Sequence, residues 1–380
     1  MQKNVSRLMV LILAFTLLAG GVFSAIAENA DRIQAAIDAA NTLSTFAYIL
    51  PDGSLVANPS AEEFTDTYTS IGKIRKIEHT SHSDNPAVLT ESGDLYVGNK
   101  LVAQNIQEVL YPEMKMSGYG VYFAEDNTVA EFDFDSDEVT VWPRLHDYQK
   151  FTRYDTETFE PIYFDGKVTF ATCDDFYFWV LDEEGRPYCY GEVSGNLYKA
   201  DIEDIYTFDY DKFPELPFWS LELHNWNDLA VFAFAADEDL ARNKEFFTYA
   251  GIKKDGTVVA CGEHAEEILS WGPLVYLDGK DGNILGVTAD GKVKLAGPDA
   301  LAPVLDELNT WSNIVSAKLI SGNSTSYNIG VLAATDDGSF ESRYFEVWGS
   351  NNEYSNVYGV SLSPEEGYTG SGYSVYNIAQ

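Results

Sequence analysis

The chain has 380 residues, of which 60 are Asp or Glu and 24 are Lys or Arg, so its formal net charge is −36. Such an acidic surface repels nucleic-acid phosphates and anionic lipid headgroups, which argues against nucleic acid and membrane surfaces as partners. The same charge would suit a cationic partner, or it could serve solubility alone.

The N-terminus predicts an export signal. Lys3 and Arg7 precede an apolar run from Leu8 to Phe23, and Ala25-Ile26-Ala27 follows that run. A basic end, an apolar stretch and an A-x-A site are typical of a secretory signal peptide rather than of a membrane anchor. We therefore predict cleavage after Ala27 and a protein that is secreted or associated with the cell envelope, without membrane insertion.

The residues after the predicted cleavage site favour a short helix. Glu28–Leu43 is rich in alanine, and Ile33, Ile37 and Leu43 approximate one helical face. We interpret residues 28–44 as a short amphipathic helix or cap and residues 45–380 as one domain.

Two neighbouring stretches, Tyr249–Val275 and Leu285–Val315, are copies of each other. In each copy an Asp-Gly pair lies between two strand-like segments, which predicts a hairpin turn with positive φ. We assign Trp271 and Trp311 to the start of the last strand of each copy. Short antiparallel strands repeated at a fixed period are typical of a propeller blade. The matching positions lie 35 residues apart and are Gly251/Gly286, Asp255/Asp290, Gly256/Gly291 and Gly262/Gly297.

The shared pattern, G-[IV]-x-x-D-G-x-V-x-x-x-G followed by W-x-x-[IL]-V over Tyr249–Ile320, resembles the regulator-of-chromosome-condensation repeat. The resemblance implies a seven-bladed β-propeller. Nuclear members of that family act as exchange factors for a small GTPase and bind chromatin. Secreted bacterial members include a β-lactamase inhibitor that binds through aromatic-rich loops on one face. The export signal and the acidic charge exclude the nuclear role here, so that only the scaffold carries over: loops at one face form a concave binding surface.

Turn signals extend the same pattern along the chain and predict an all-β, seven-bladed propeller. Six or eight blades stay open, because Pro161–Thr172 and Leu229–Ala235 are strand-like and would either complete the fourth unit or belong to an eighth. Tyr373–Ile378 is also strand-like and would close the ring against the first blade. The predicted hairpin turns lie near Gly53, Gly93, Asn127, Gly185, Gly256, Gly291 and Gly338.

One aromatic segment, Tyr206–Trp226, departs from the repeat. Its prolines favour an extended loop, and binding residues commonly lie on loops held by a rigid scaffold. Alternatively, these rings pack against the flank of a blade or fill the central channel. The candidate binding residues are Phe213, Phe218, Trp219 and Trp226.

Candidate metal sites are weak, and we expect no metal and no cofactor. Asp133, Asp135 and Asp137 form a D-x-D-x-D run like the start of a calcium loop. The sixth and twelfth positions of that loop hold Glu138 and Arg144 instead of Gly and Glu, so an acidic hairpin tip is favoured. His79 and His82 are interpreted as surface histidines. Of the three cysteines, Cys173 and Cys189 flank an apolar strand and could form a cross-strand disulfide, whereas Cys261 is interpreted as a buried thiol.

Motifs for nucleophilic, zinc-dependent or nucleotide-dependent catalysis are missing from the sequence. We therefore predict a secreted, monomeric binding module with a protein or cell-surface glycan as its partner. The alternative is a secreted carbohydrate-active hydrolase or lyase, which would need Asp or Glu from three or more blades converging at the channel mouth. A structural protein of the cell envelope is a third reading.

Overall fold

The structure is a computed structural model that describes residues 28–43, 47–49, 55–57, 68–78, 85–110, 119–133, 138–143, 152–155, 161–174, 177–191, 223–239, 244–300, 302–321, 328–348, 353–363 and 367–370. All structural statements below refer to these residues. None of their helices is both long and apolar enough to cross a membrane.

The described strands form seven small antiparallel sheets, named I to VII in chain order. Sheet I holds β1 (Ala47–Ile49) and β2 (Leu55–Ala57). Sheet II holds β3 (Ile74–Glu78), β4 (Ala87–Thr90), β5 (Leu95–Val97) and β6 (Lys100–Ala103). Sheet III holds β7 (Ile106–Leu110), β8 (Tyr119–Ala124), β9 (Val129–Asp133) and β10 (Val139–Trp142).

Sheet IV holds β11 (Thr152–Tyr154), β12 (Pro161–Tyr163), β13 (Phe170–Asp174), β14 (Tyr177–Leu181) and β15 (Pro187–Gly191). Sheet V holds β16 (Leu229–Asp239), β17 (Lys244–Lys253) and β18 (Val258–Gly262). Sheet VI holds β19 (Leu274–Lys280), β20 (Asn283–Thr288) and β21 (Val293–Ala296). Sheet VII holds β22 (Ile314–Ser321), β23 (Asn328–Thr335), β24 (Phe340–Trp348), β25 (Glu353–Ser363) and β26 (Gly367–Gly370).

Sheets II to VII surround a central cavity. Each of them contributes one inner strand, namely β3, β7, β13, β16, β19 and β22, and residues of all six sheets line the cavity. From β7 to β22, each inner strand contacts the inner strand of the next sheet, and β3 contacts β7. Small meanders ranged around a channel are the architecture of a β-propeller, which confirms the predicted all-β fold. The predicted number of seven blades stays a prediction, because residues 58–67 and 371–380, including the tail Tyr373–Ile378, lie outside the described residues.

The strand that follows each spacer was assigned to the wrong sheet. The sequence analysis placed it last in its own unit, whereas Leu274–Lys280 pairs with Asn283–Thr288 and opens sheet VI. The same holds for Ile314–Ser321, which pairs with β23 in sheet VII. Trp271 is the C-cap of a short helix ahead of its strand. The two strand-like segments whose unit was left open belong to sheets IV and V. Pro161–Tyr163 and Phe170–Asp174 complete sheet IV, and Leu229–Asp239 opens sheet V.

Hydrogen bonds between turns and strands join consecutive sheets. In three hairpin turns the carbonyl of the turn glycine accepts the N–H of the first residue of the next inner strand, and the pairs are Gly93 with Ile106, Gly185 with Leu229 and Gly291 with Ile314. We call these contacts turn latches. At Gly185 φ is +68°, and an added Cβ would lie 2.3 Å from the Leu229 nitrogen. Glycine is thus required there both for its left-handed backbone and for the close approach of another chain segment.

Helix α1 (residues 28–41) lies across the face of the ring that carries these hairpin turns. Its Ile33, Ala36 and Ala40 are buried in the main hydrophobic core, as expected for side chains at helical spacing on one face. The Asn29 side chain donates to the Asp255 carbonyl at 3.4 Å, and the Arg32 guanidinium donates to the Ala289 carbonyl. Further along the chain, Leu43 packs with Leu332, Ala334 and Phe340. Two short helices, α2 (Ala265–Ser270) and α3 (Ala302–Leu308), lie between sheets in the chain order.

None of the three cysteines, Cys173, Cys189 and Cys261, forms a disulfide. Cys173 lies opposite Phe178 and Cys189 lies opposite Trp179, so strand β14 separates them. Burial raises the pKa of the Cys189 thiol well above its ordinary value. Cys189 and the buried Cys261 both belong to a core cluster around Trp179, whose ring centroid lies 5.1 Å from that of Phe232.

Candidate functional site

The candidate site is the central cavity, with a volume of about 400 Å³. Helix α1 closes one side of it with Ala30, Ile33, Gln34, Ile37 and Asn41, and the inner strands form the wall. A second cavity of about 750 Å³ adjoins the first and shares Gln34, Ile37 and Asn41 of α1 with it. The helix therefore covers the channel without filling it.

A shared irregularity of the inner strands places the polar side chains of this cavity. In β3, β7, β16, β19 and β22 the register shifts just after the first residue. A β-bulge of this kind re-aims the side chains that follow it. Regular pairing begins again at Lys76, Glu108 and Tyr276, and these three residues line the cavity. Side chains alternate along a strand, so Glu78 and Asp278, two residues later, line it as well.

A buried ion-pair cluster occupies one wall of the cavity. The Lys76 ammonium, only 5% exposed as a residue, lies 2.7 Å from Oε1 of Glu108 and 3.2 Å from Oε1 of Glu78. Burial alone would lower the pKa of Lys76, but the two carboxylates outweigh burial and hold the pKa above its ordinary value. Glu108 also accepts the backbone N–H of Val109 at 2.9 Å. One cation thus ties sheet II to sheet III at the centre of the ring.

Sheet VI provides the opposing groups. Burial raises the pKa of the Tyr276 phenol well above its ordinary value, and the charges of Asp278, Glu78 and Glu108 add to the effect. Burial likewise raises the pKa of Asp278, and the Leu319 N–H, which donates to its Oδ2 at 2.7 Å, partly offsets this rise. Carboxylates from three sheets and the phenol therefore belong to one electrostatic unit.

The remaining charges of the cavity wall are lysines. Lys280 and Lys318 lie near Asp278 and favour its ionised form, and Lys254 donates to the Glu183 carbonyl at 3.0 Å. Lys76, Lys254, Lys280 and Lys318 exceed Glu78, Glu108 and Asp278 by one in number. The site therefore offers donors and acceptors side by side, with a formal excess of one positive charge in a protein that is strongly acidic as a whole.

The structure describes one of the four predicted binding residues. Trp226 is 6% exposed and packs in the core cluster around Trp179, with its ring 6.5 Å from that of Phe232. This position agrees with the alternative in which the ring packs on the flank of a blade, and it leaves Trp226 little surface for a partner. Phe213, Phe218 and Trp219 lie outside the described residues, so the binding role of their segment stays a prediction.

Next to Trp226, burial of His224 lowers its pKa to about 3, and the nearby Arg153 guanidinium adds to the effect. His224 is therefore a neutral core residue at neutral pH. Among the described residues no group of three or more His, Cys, Asp or Glu side chains is arranged to hold a metal ion. The candidate residues His79, His82, Asp135 and Asp137 lie outside those residues, and Asp133 ends strand β9.

Sequence reasoning missed the cavity residues Lys76, Glu108 and Tyr276. The sequence held one signal. Lys76 and Glu108 each lie two residues after the isoleucine that starts their strand, and the equivalent position in sheet V is the core residue Val231. A polar residue at a position that sheet V fills with an apolar one indicates a side chain at the channel. The bulge that aligns these positions was not visible in the sequence.

Comparisons with known proteins agree with the fold. No protein-family model matches the chain, and no curated protein matches it. The chain is similar to the structure of Prp20p from Saccharomyces cerevisiae, with 12% identity and a TM-score of 0.35, over 78% of this chain and 75% of that one. Prp20 is the yeast RCC1, so the RCC1-type resemblance of the twin copies has a counterpart among solved structures.

Two other propellers are similar at the same level. One is BamB from Moraxella catarrhalis, with 12% identity and a TM-score of 0.33, over 76% of this chain and 86% of that one. The other is the CRINKLY WD40 ectodomain of the Arabidopsis thaliana receptor kinase ACR4, with 14% identity and a TM-score of 0.30, over 66% of this chain and 79% of that one. At these scores the likenesses carry no argument about activity or partners.

Proposed function

We propose that the protein is an exported binding module and that it presents the face opposite α1 to a protein or cell-surface glycan. The observation that carries this proposal is a long β-hairpin on that face. Strands β16 and β17 pair from Leu229↔Lys253 to Asp239↔Lys244, but β18 pairs only with Thr248–Ile252. The outer end of the β16–β17 hairpin therefore extends as two strands beyond its sheet.

The direction of this hairpin follows from its register. Strand β17 runs from Lys244 to Lys253 and then enters the turn at Asp255, whose carbonyl is bonded to α1. The end at Lys244 is therefore the end away from α1. A projecting two-stranded ribbon has free backbone edges and supplies a contact surface that the compact turns at the other face do not. Its acidic end, Asp237, Glu238 and Asp239, would favour a partner with basic groups.

Export is the first part of the proposal to test. When the full-length gene is expressed with its own N-terminus in a bacterial host, we expect the protein in the periplasm or the medium, beginning at Glu28. N-terminal sequencing and intact-mass measurement of the fractionated protein check this outcome. A cytoplasmic protein that retains Met1–Ala27 would contradict export, and a variant with Leu13→Arg and Leu17→Arg in the apolar run is the control that should remain inside.

The binding face is tested by photo-crosslinking from two positions of sheet VI. Asp281 precedes β20 and Asp290 follows it, so the two exposed residues lie at opposite faces of the ring. A photoreactive residue at position 281 is expected to capture a partner from envelope extract, whereas the same residue at position 290, on the face of α1, captures none. Replacing residues 237–246 by Asn-Gly should abolish the capture at 281 and leave the circular dichroism spectrum unchanged. Capture from 290 alone, or capture unaffected by the shortened hairpin, would contradict the proposal.

The enzyme alternative has one observation in its favour, since Glu78, Glu108 and Asp278 come from three sheets to one cavity. Lys76 is paired with both Glu78 and Glu108, so Asp278, whose pKa is raised by burial, is the candidate for the protonated acid that glycoside hydrolysis requires. Release of reducing sugar from the captured glycan by the parent, lost on Glu108→Gln, would favour the enzyme over the binding module.

A further inference from the structure

We propose that the central cavity binds a neutral polyhydroxylated molecule of about monosaccharide size, a sugar or cyclic polyol, beneath helix α1. This site is separate from the face proposed for the macromolecular partner, and the two proposals stand or fall independently. Its volume of about 400 Å³ lies within the range of roughly 300–1,000 Å³ that is usual for small-molecule sites.

The Tyr276 phenol is the first reason. Tyr276 is 6% exposed and lines the cavity, and among the described residues its hydroxyl makes no hydrogen bond. Buried polar side chains nearly always have hydrogen-bond partners, because an unpaired one is costly. A hydroxyl at a cavity with no partner among the described residues is what a ligand hydroxyl would complete.

The charged groups of the cavity wall determine which class of ligand fits. An anion would gain from Lys254, Lys280 and Lys318 but would meet Asp278, Glu78 and Glu108, and a cation would meet the four lysines of the wall. The Lys76 ammonium is already held by two carboxylates. Neutral hydroxyl groups both donate and accept, so they can bond to ammonium, carboxylate and phenol groups in one site without a net charge to desolvate.

The apolar part of the wall suits the remaining surface of such a molecule. Ile33 and Ile37 of α1 and Phe170 of β13 line the cavity together with the polar groups. A sugar or cyclic polyol has hydrocarbon faces between its hydroxyl groups, and binding sites for small molecules combine apolar walls with a few placed polar groups. A fully apolar ligand would displace water from the carboxylates and the lysines without bonding to them.

The test uses the mature protein and a panel of hexoses, pentoses, hexosamines, hexitols and inositols, with citrate and spermidine as the anionic and cationic controls. Saturation-transfer NMR and thermal denaturation report binding. We expect at least one sugar or polyol to bind and to raise Tm, with no binding of citrate or spermidine. Failure of the whole panel to bind, or tighter binding of citrate or spermidine, would overturn the proposal.

Two matched substitutions locate the site. Tyr276→Phe removes one hydroxyl and is expected to weaken binding about tenfold, the effect of about one good hydrogen bond. Because that hydroxyl has no hydrogen-bond partner among the residues that the structure describes, the Tm of the ligand-free variant should equal or exceed that of the parent. Tyr249→Phe removes a hydroxyl in the aromatic core away from the cavity and should leave binding unchanged. Equal affinities of the parent and Tyr276→Phe would place the ligand elsewhere and overturn the proposal.

Discussion

Substitution of Gly185 by alanine is expected to destabilise the protein by about 2–5 kcal/mol, the sum of left-handed strain of about 1–2 kcal/mol and overpacking of about 1–3 kcal/mol. The strain arises because φ is +68° at this turn. The overpacking arises because the new Cβ would lie 2.3 Å from the nitrogen and 2.5 Å from the oxygen of Leu229. Both atoms are backbone, so neither can move without opening the turn latch between sheets IV and V. Urea unfolding followed by circular dichroism measures the loss.

Gly256→Ala is the matched control for Gly185→Ala. Gly256 occupies the equivalent turn of sheet V with φ of +88°, but its added Cβ would meet only the Asn29 side chain, at 3.1 Å. We expect this variant to lose about 1–2 kcal/mol, the cost of the left-handed conformation alone. Equal losses in the two variants would show that the latch contact adds nothing to the strain of the turn.

Replacement of Lys76 by methionine is expected to cost about 3–5 kcal/mol at pH 7, because it leaves Glu78 and Glu108 as uncompensated buried charges. Their side chains are each 19% exposed. Urea unfolding of parent and variant at pH 7 measures the loss.

The stability of the parent protein depends on pH through Lys76. The folded-state pKa of Lys76 is raised, so its contribution to stability is complete below the ordinary lysine pKa and disappears as the pH rises through the folded-state value. Lys73→Met is the control, because Lys73 forms an exposed pair with Glu91 at 3.7 Å that is worth about 0–1 kcal/mol. A loss for Lys76→Met that matches the control would contradict a buried ion-pair cluster.

Local signals predicted the hairpins of the propeller but not the sheet to which each strand belongs. Turn residues such as Asp255-Gly256 and Asp290-Gly291 fix a hairpin within a few residues, and all of the described turn glycines have positive φ. The strand after each spacer has no such local signal, because it can close one sheet or open the next. The choice depends on long-range contacts such as the turn latch from Gly291 to Ile314.

To predict the cavity from the sequence required more than to predict the fold. Lys76 and Glu108 lie far from Tyr276 and Asp278 in the sequence, and only the arrangement of the sheets around the cavity brings their strands together. The inner-strand bulges also shift the register of these strands, and no local signal in the sequence marked them. The aromatic segment was the more visible candidate in the sequence, yet its described residue, Trp226, is a core residue.

The position of α1 has a consequence for the order in which the molecule assembles. This helix is the first described segment to be synthesised, but its partners Asp255, Ala289 and Phe340 belong to the last three sheets. Until those sheets exist, Ile33, Ala36 and Ala40 have no surface to bury against, and contacts this distant in sequence form slowly. A nascent chain that is stopped before sheet V therefore has an uncovered apolar helix at its N-terminal end. The packing of α1 requires that the last three sheets have been synthesised.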